Sequence, residues 1–561
     1  MMRWLACIFA ICLAAAAQTQ DATPVPTLAV PTPLPAAFRP AVENPPSQSA
    51  IAEIIAEQVF RVGVLYNDPP YSEFTWQGEL AGFDIDLLRM IAEAWGVEIA
   101  FVQVTRLNAV DALKAGEAHA LASALLPYRG YENDIEFTQP YLVGHQAVMA
   151  RADSPLQAAS ELAGVKTGVV IGTRAETALD LWRERTALNP DTRQFLTLDR
   201  AFAALMLGEI DALVDEEQSL LRIAGEDIEL ARLLDEPLLR EPHAFAVRRH
   251  DAPLRQLLNR SIQQLAAKQS IELSKREYFP DLPRDESAIL VWQGVGEELS
   301  PAQFSAEMPP PAQSTVVRLL ESRPLRVAGI EGDAAQLTAL NHALLAEMAR
   351  RWGTTVADSS VSADAGLHML RQGAVDLVAG VKLDWQTLNN VDFSMPYLLQ
   401  GDRLMVPARS QIAGFYDLRN RIVAVMLGDD SAWQRAQAWA DSINMTIRRF
   451  DTTLQGAART LLDFNNANAV YANSLLLVEH LNANPDTLKL TERWYSRDYY
   501  AFALGHNDPD FRQLVNYTLQ EMILDGSLAR MTGELLLGGD LPDFGIAPGS
   551  SQFAGFDLSS A

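Results

Sequence analysis

Short apolar runs alternate along this chain with longer stretches whose apolar residues recur every three or four positions. VFRVGVLY (59–66), VEIAFVQV (97–104), GVKTGVVI (164–171) and IDALV (210–214) have the length and β-branched content of strands. ELAGFDIDLLRMIAEAWG (79–96) has helical spacing and ends on a glycine stop. Strands alternating with helices predict an α/β architecture with largely parallel sheets. The pattern then repeats. IEFTQPY (135–141) returns as VDFSMPY (391–397), and a shift of 257 lays QLTALNHALLAEMARRWG (336–353) over the 79–96 helix. Leu80, Leu87, Leu88, Ala92, Trp95 and Gly96 then meet Leu337, Leu344, Leu345, Ala349, Trp352 and Gly353. LKAGEAHALAS (113–123) meets LRQGAVDLVAG (370–380), and AFAV (244–247) meets AFAL (501–504). A register held over so long a stretch marks one domain-sized module duplicated, not a solenoid of short repeats. A strand-like passage after each PY phrase (AVMAR, then LMVPA) and a second near 244 or 501 predict two crossings between lobes within each module.

The flanking segments break this pattern. Residues 1–17 combine a short basic start, an apolar run and small residues at Ala15 and Ala17, the anatomy of a cleaved secretory signal. Residues 18–55 are rich in Pro, Thr and Ala and read as a tether; 281–321, with MPPPAQS at 308–314, read as a linker, and 541–561 as a flexible tail. The modules are thereby expected at 56–280 and 322–540. With 71 acidic against 45 basic residues the net charge is -26, which disfavours nucleic acid and anionic lipid as partners. Both cysteines, Cys7 and Cys12, fall in the leader, so disulfides, thiolate metal sites and a cysteine nucleophile are not expected in the mature chain, nor is a cofactor. After the leader no stretch has the ~18 unbroken apolar residues of a membrane span. A secreted protein at the periplasmic or extracellular face of the membrane is expected.

In this order, VGVLYNDPPYSEF, GFDIDLL, LKAGEAHALAS, IEFTQPY, GVKTGVVIGT and GEIDALVDE resemble the family 3 periplasmic solute-binding proteins that feed amino-acid ABC importers. The likeness spans nearly all of 56–280 and, more faintly, 322–540. It implies two tandem type II periplasmic-binding-protein modules, each of two α/β lobes joined by a two-strand hinge. A ligand sits between the lobes, which close on it by hinge bending. The implied partners are a small polar solute, most naturally an amino acid, and an ABC permease.

An amino acid brings a carboxylate, an ammonium and a side chain, so its site needs a cation or helix N-terminus, an acid and an apolar wall. Gly172 and Thr173 end a strand and open a helical pattern; they suit a carboxylate, or Thr173 is simply a helix cap. The resemblance implies an arginine six before the Phe of the PY phrase, where this chain has Tyr131; the nearest is Arg129, a ligand for the carboxylate or a loop charge. Arg106 is a second candidate. The resemblance also places an ammonium-binding acid five beyond Asp211, which is Glu216, with Asp215 beside it; an exposed acidic face is the alternative. Tyr71, with Phe74 and Trp76 behind it, offers a wall or a core plug. In the second module Asn473 matches Glu216, Asp429 stands at the helix start, and Lys382 and Trp385 occupy the segment before VDFSMPY. These changes oppose zwitterion binding and favour a scaffold or docking role, a different ligand being the other possibility. Two further functions stay open: a secreted enzyme of the cyclohexadienyl dehydratase kind, and a sensor or docking protein. No catalytic motif is present, neither HExxH, GxSxG nor GxxxxGK.

Overall fold

The computed structural model describes residues 48–536 apart from 123–126, 128, 281–288, 293, 297–298, 306, 308–313, 332–333, 386–390, 428, 451–460, 462–465 and 506–507; of 129, 185, 226–227, 431 and 479 it describes the backbone alone. The expected leader, most of the tether and the tail lie outside the described residues.

The first half builds two sheets. β1 (Val59–Val64), β5 (Glu98–Gln103), β6 (Ala120–Leu121), β7 (Ile135–Phe137) and β14 (Ala246–Arg248) form the first, in the order β5-β1-β6-β14-β7. Its central strands run parallel, β1 pairing with both β5 and β6, while β14 returns antiparallel from the other lobe. β8 (Leu142–Arg151), β9 (Lys166–Val170), β10 (Asp191–Phe195), β11 (Ala212–Glu216) and β12 (Ala231–Leu233) form the second, in the order β10-β9-β11-β8-β12, with β13 (Leu239–His243) on β8. The chain crosses between lobes twice, from β7 into β8 and from β13 into β14. β2 (Asn67–Asp68), β3 (Ser72–Phe74) and β4 (Leu80–Ala81) make a small meander beside the first lobe.

The second half repeats this order. β15 (Leu325–Ala328), β16 (Val356–Asp358), β17 (Leu377–Lys382), β18 (Val391–Phe393) and β25 (Asp498–Gly505) give β16-β15-β17-β25-β18, with β19 (Leu398–Gln400) also on β25. β20 (Asp402–Pro407), β21 (Ile422–Met426), β22 (Thr446–Phe450), β23 (Ala469–Asn473) and β24 (Leu488–Leu490) give β22-β21-β23-β20-β24. The single strand β25 does the work of β13 and β14 together. Among the described residues no meander separates β15 from its helix, and the loop that carries NDPPYSEF is missing from the second copy.

The duplication reaches the core. The helix Phe83–Trp95 buries Phe83, Leu87, Leu88, Ile91 and Trp95, and Ala335–Arg351 buries Leu337, Leu344, Leu345 and Met348. Trp95 Nε1 donates to Ser261 Oγ at 2.9 Å, and Trp352 Nε1 donates to Thr518 Oγ1 at 2.9 Å. Two stretches read as connectors differ. A helix at Ala50–Glu57 begins within the expected tether and runs into the expected module; its Ala50, Ile51 and Ile54 are buried in the first core, and Asp251 accepts from Ser49 Oγ and the Ala50 N–H. Thr315–Leu320 likewise lies within the expected linker and is helical, with Asp508 accepting from Ser314 Oγ and the Thr315 N–H. Each apolar face was hidden by its Pro-rich neighbours.

Candidate functional site

Between the lobes of the first module, side chains from opposite sides meet around Tyr71. Its position is set by Gly82, whose φ of 134° opens the Phe83–Trp95 helix; a Cβ there would stand 2.2 Å from the Tyr71 carbonyl oxygen. Tyr71 is wholly buried. Its ring stacks on His243 at 4.5 Å, the Arg174 guanidinium lies 4.7 Å from the ring centroid, and its hydroxyl lies 3.1 Å from His243 Nε2 and donates to Glu216 Oε1 at 3.4 Å. Tyr71 and Asp68 belong to the first lobe, whereas Arg174, Glu216 and Glu241 belong to the second.

Arg174 joins the lobes. It reaches Asp68 at 2.7 Å and Glu241 at 2.7 Å, and Gln146 donates to the other oxygen of Glu241. Arg106, from the loop after β5, donates to the Gly172 carbonyl at 3.2 Å and approaches Asp68 at 3.5 Å. Burial would lower the Arg174 pKa, but Asp68 and Glu241 overcome that and raise it. Burial raises the Glu216 carboxyl to about 7, with Arg174 opposing and Glu241 and Asp215 adding to the rise. Asp215 is pushed up to about 6, again by burial, against the pull of the Glu216 N–H and Arg174. His243 is held well below its usual value by burial and by Arg174.

Glu216 stands at the end of β11 and caps the helix Glu217–Ala224, Oε2 accepting the Ser219 N–H at 3.0 Å. Asp215 accepts the Glu216 N–H at 2.8 Å. Thr173 caps the helix Arg174–Thr186, accepting from the Glu176 N–H at 3.4 Å, while Gly172, at φ 72°, donates its N–H to Glu176 at 2.7 Å. Part of that helix start is thus satisfied from within. Arg129 lies in a short 3-10 turn, Arg129–Tyr131, and its side chain lies outside the described residues. Phe74 and Trp76 do not line the cleft; Trp76 is 92% exposed and Phe74 packs edge-on against Tyr66.

Asp68, Arg174, Glu241 and His243 were not singled out from the sequence. Arg174 follows the GT phrase directly, and REPHAF leads into the second crossing; both are positions where a lobe edge faces its neighbour.

In the second module the equivalent places hold different chemistry. Asn473 caps the helix Ser474–Ala483 and donates to Asp498 at 3.1 Å, and Lys382, 46% exposed, pairs with Asp498 at 3.3 Å. Arg435 pairs with Asp402, which stands opposite Asn473 across β20 and β23 as Gln146 stands opposite Glu216 across β8 and β11. Asp429 caps the helix Asp430–Ile443 through the Ala432 N–H. Trp385 corrects the sequence reading: it is not in this cleft but buried between the modules, its Nε1 donating to Gln263 Oε1 at 2.8 Å. There its ring stacks on Trp292 at 4.7 Å.

Among the described residues no three His, Cys, Asp or Glu are grouped to hold a metal, and no helix is long and apolar enough to cross a membrane. A probable histidine-binding protein of Campylobacter jejuni is 30% identical over 188 residues, covering 33% of this chain and 71% of that protein. The histidine-binding periplasmic protein of Salmonella typhimurium is 26% identical over 245 residues, 42% of this chain and 92% of that protein. An ABC transporter glutamine-binding protein of Bacillus subtilis is 26% identical over 191 residues, 34% of this chain and 68% of that protein. The profile of the bacterial extracellular solute-binding proteins, family 3, matches residues 60–281 and again 324–534. The chain belongs to that family, in two tandem copies.

Proposed function

We propose that the first module captures an amino acid by lobe closure, without covalent chemistry, and delivers it to an ABC permease at the outer face of the cytoplasmic membrane. The observation that carries this reading is the placement of opposite charges around one buried ring: Tyr71 has Arg174 over its face and Glu216 at its hydroxyl. A zwitterion admitted between the parted lobes beside Tyr71 has its ammonium at Glu216 and Asp215 and its carboxylate toward Arg129, Arg174 and the Gly172–Thr173 turn. The acids Asp68, Asp215, Glu216 and Glu241 outnumber Arg106 and Arg174 around this point, which favours a solute with a second cationic or hydrogen-bond-donating group. Relatives named for histidine and glutamine binding support the amino-acid class. Export by the leader at 1–17, with the Pro-rich segment as tether, places the module where relatives named as periplasmic act. The second cleft, with Asn473, Asp429 and the Lys382–Asp498 pair in place of these groups, serves as a scaffold.

The test is a thermal-shift screen of the full chain, unfolded and refolded to strip carried solute, against amino acids, polyamines and short carboxylates. At 100 times its dissociation constant a ligand adds about 2.7 kcal/mol of stability. Glu216→Ala with Asp215→Ala should abolish the shift; a shift that survives both overturns the ammonium assignment. A second reading rests on Glu216 itself, since a carboxyl with a pKa of about 7 suits a general acid. Loss of a prephenate-like acid on incubation with the chain, abolished by Glu216→Gln, would favour that dehydratase reading over capture.

A further inference from the structure

The helices Ala252–Ala267 and Pro509–Leu524 pose an accounting problem. Each closes the first lobe of its module, yet each buries polar residues on several sides: Arg255, Gln256, Asn259, Gln263 and Gln264 in one, Asp510, Gln513, Thr518 and Gln520 in the other. A helix covered on one side by its own lobe should present such residues to water. Buried polar groups need partners, and many of these partners lie in the other module.

Arg255 pairs with Glu136 of its own module at 2.9 Å and with Asp392 of the other at 2.5 Å. Arg512 pairs with Glu136 across the gap at 2.5 Å and with Asp392 of its own module at 3.4 Å. Arg255 and Arg512 are equivalent residues of the repeat, as are Glu136 and Asp392, the second positions of IEFTQPY and VDFSMPY. Two carboxylates and two guanidiniums thus alternate around one point, each acid touching both arginines. Neighbouring contacts also cross between the modules, without pairing equivalent residues. Glu132, before β7, accepts from Tyr517 of the opposite helix; Trp385, before β18, donates to Gln263 of its opposite helix and lies 5.6 Å from the guanidinium of Arg260, the position equivalent to Tyr517. Asn259 accepts the Gln139 N–H at 2.7 Å, and Asn516 accepts the Met395 N–H at 2.8 Å, which holds each PY turn against its own helix in the same way. Arg249 adds a pair with Asp510.

A surface whose residue i meets j while the copy of j meets the copy of i is isologous, the kind of contact that closes a two-fold dimer. We propose that this chain is an internal dimer: the first-lobe face of module 1, built on Arg255, Glu136 and the Ala252–Ala267 helix, is a self-complementary docking surface whose partner is the matching face of module 2. Module 2 is held there by its surface and not merely by the connection in sequence. The alternating charges fix the orientation, since any rotation that brings Arg255 to Arg512 or Glu136 to Asp392 leaves buried like charges together. Described residues after the Ala252–Ala267 helix fasten the pair: Ile289, Leu299 and Phe304 pack on the core of module 1, while Leu290, Trp292 and Val295 pack on that of module 2. Among the described residues these contacts come from the first lobes, while Arg174 and Glu216, or Arg435 and Asn473, belong to the second lobes. This inference is independent of which solute the cleft takes.

The experiment uses the full chain with a protease recognition sequence placed within 308–313. After cleavage under native conditions the two halves should co-elute in size exclusion at micromolar concentration, and Arg255→Glu with Arg512→Glu should weaken that association at least tenfold. Inverting all four charges (Glu136→Arg, Asp392→Arg, Arg255→Glu, Arg512→Glu) should restore at least part of it. Should the double variant fail to fold by circular dichroism, Arg512→Gln alone takes its place under the same criterion. Separation of the cleaved unmutated halves, or halves of the charge variant that associate as tightly as the unmutated ones, would overturn the proposal.

Discussion

Glu216 has two tasks that compete. One oxygen caps a helix through Ser219 and the other receives Tyr71, while burial holds its carboxyl at about 7. A folded pKa above the unfolded value of about 4.3 means that the group contributes stability below that value and loses it as pH rises through 7. In the ligand-free chain the melting temperature should therefore fall between pH 5 and 8. The Glu216 term is on the order of 3 kcal/mol, and Glu216→Gln should flatten that part of the profile. Ligand affinity should run the other way, rising as Glu216 ionises, if an ammonium is what it holds; titration calorimetry at pH 5.5 and 8 reads this directly. Arg174 carries the complementary prediction. Removing it as Arg174→Ala leaves Glu241 buried without its guanidinium and Asp68 with the more distant Arg106, a loss of roughly 3 to 5 kcal/mol measurable as a lowered urea midpoint. Glu216 was singled out because the family resemblance implies an acid five beyond Asp211, and it is buried at the end of β11 and not on an exposed acidic face. Arg174 was not, because a charged residue at the first turn of a helix reads as solvated until the opposite lobe is known.

At the scale of single elements, the strands and helices that bury one continuous apolar face were legible, and their repeat fixed which belonged together. Helices that bury polar faces were not. Nothing in APLRQLLNRSIQQLAA distinguishes an arginine that meets water from one that meets Glu136 and Asp392. Trp385 was misassigned for the same reason: its place before VDFSMPY was read correctly, but its direction is set by Trp292 and Gln263, residues remote in sequence. The Tyr71 loop shows how tightly one element can fix another. Gly82→Ala puts a Cβ against the Tyr71 carbonyl in a backbone region open to glycine, so the loop must move. We expect a stability loss of at least about 2 kcal/mol in urea unfolding, with ligand affinity reduced alongside. Thr173→Ala, which removes a cap and the hydroxyl's bond to the Val170 carbonyl, should cost about 1 kcal/mol.

For the molecule as a whole, the two functions of buried charge pull the pH profile in opposite directions. At the contact between modules burial would raise Glu136, but Arg512, Arg255 and the His250 N–H hold it down at about 2. A depressed carboxylate contributes stability above its unfolded value of about 4.3 and loses it as pH falls toward 2, a term of roughly 3 kcal/mol. In the cleft Glu216, at about 7, and Asp215, at about 6, do the reverse; Asp510, at the contact between modules, is likewise raised by burial to about 6 despite Arg249. Below pH 4 the contact between modules weakens; above pH 6 the cleft carries ionised acids at a cost. The ligand-free chain should therefore be most stable near pH 4 to 5, and not at neutrality. A bound cation at Glu216 and Asp215 reverses the cleft term alone, so saturating solute should move the optimum toward pH 7 and leave the acid limb unchanged. Melting curves from pH 2.5 to 8.5, with and without the solute found by screening, test both limbs at once. An acid limb that shifts with solute would mean that the cleft and the docked face are coupled, against the separation of first-lobe docking from second-lobe capture.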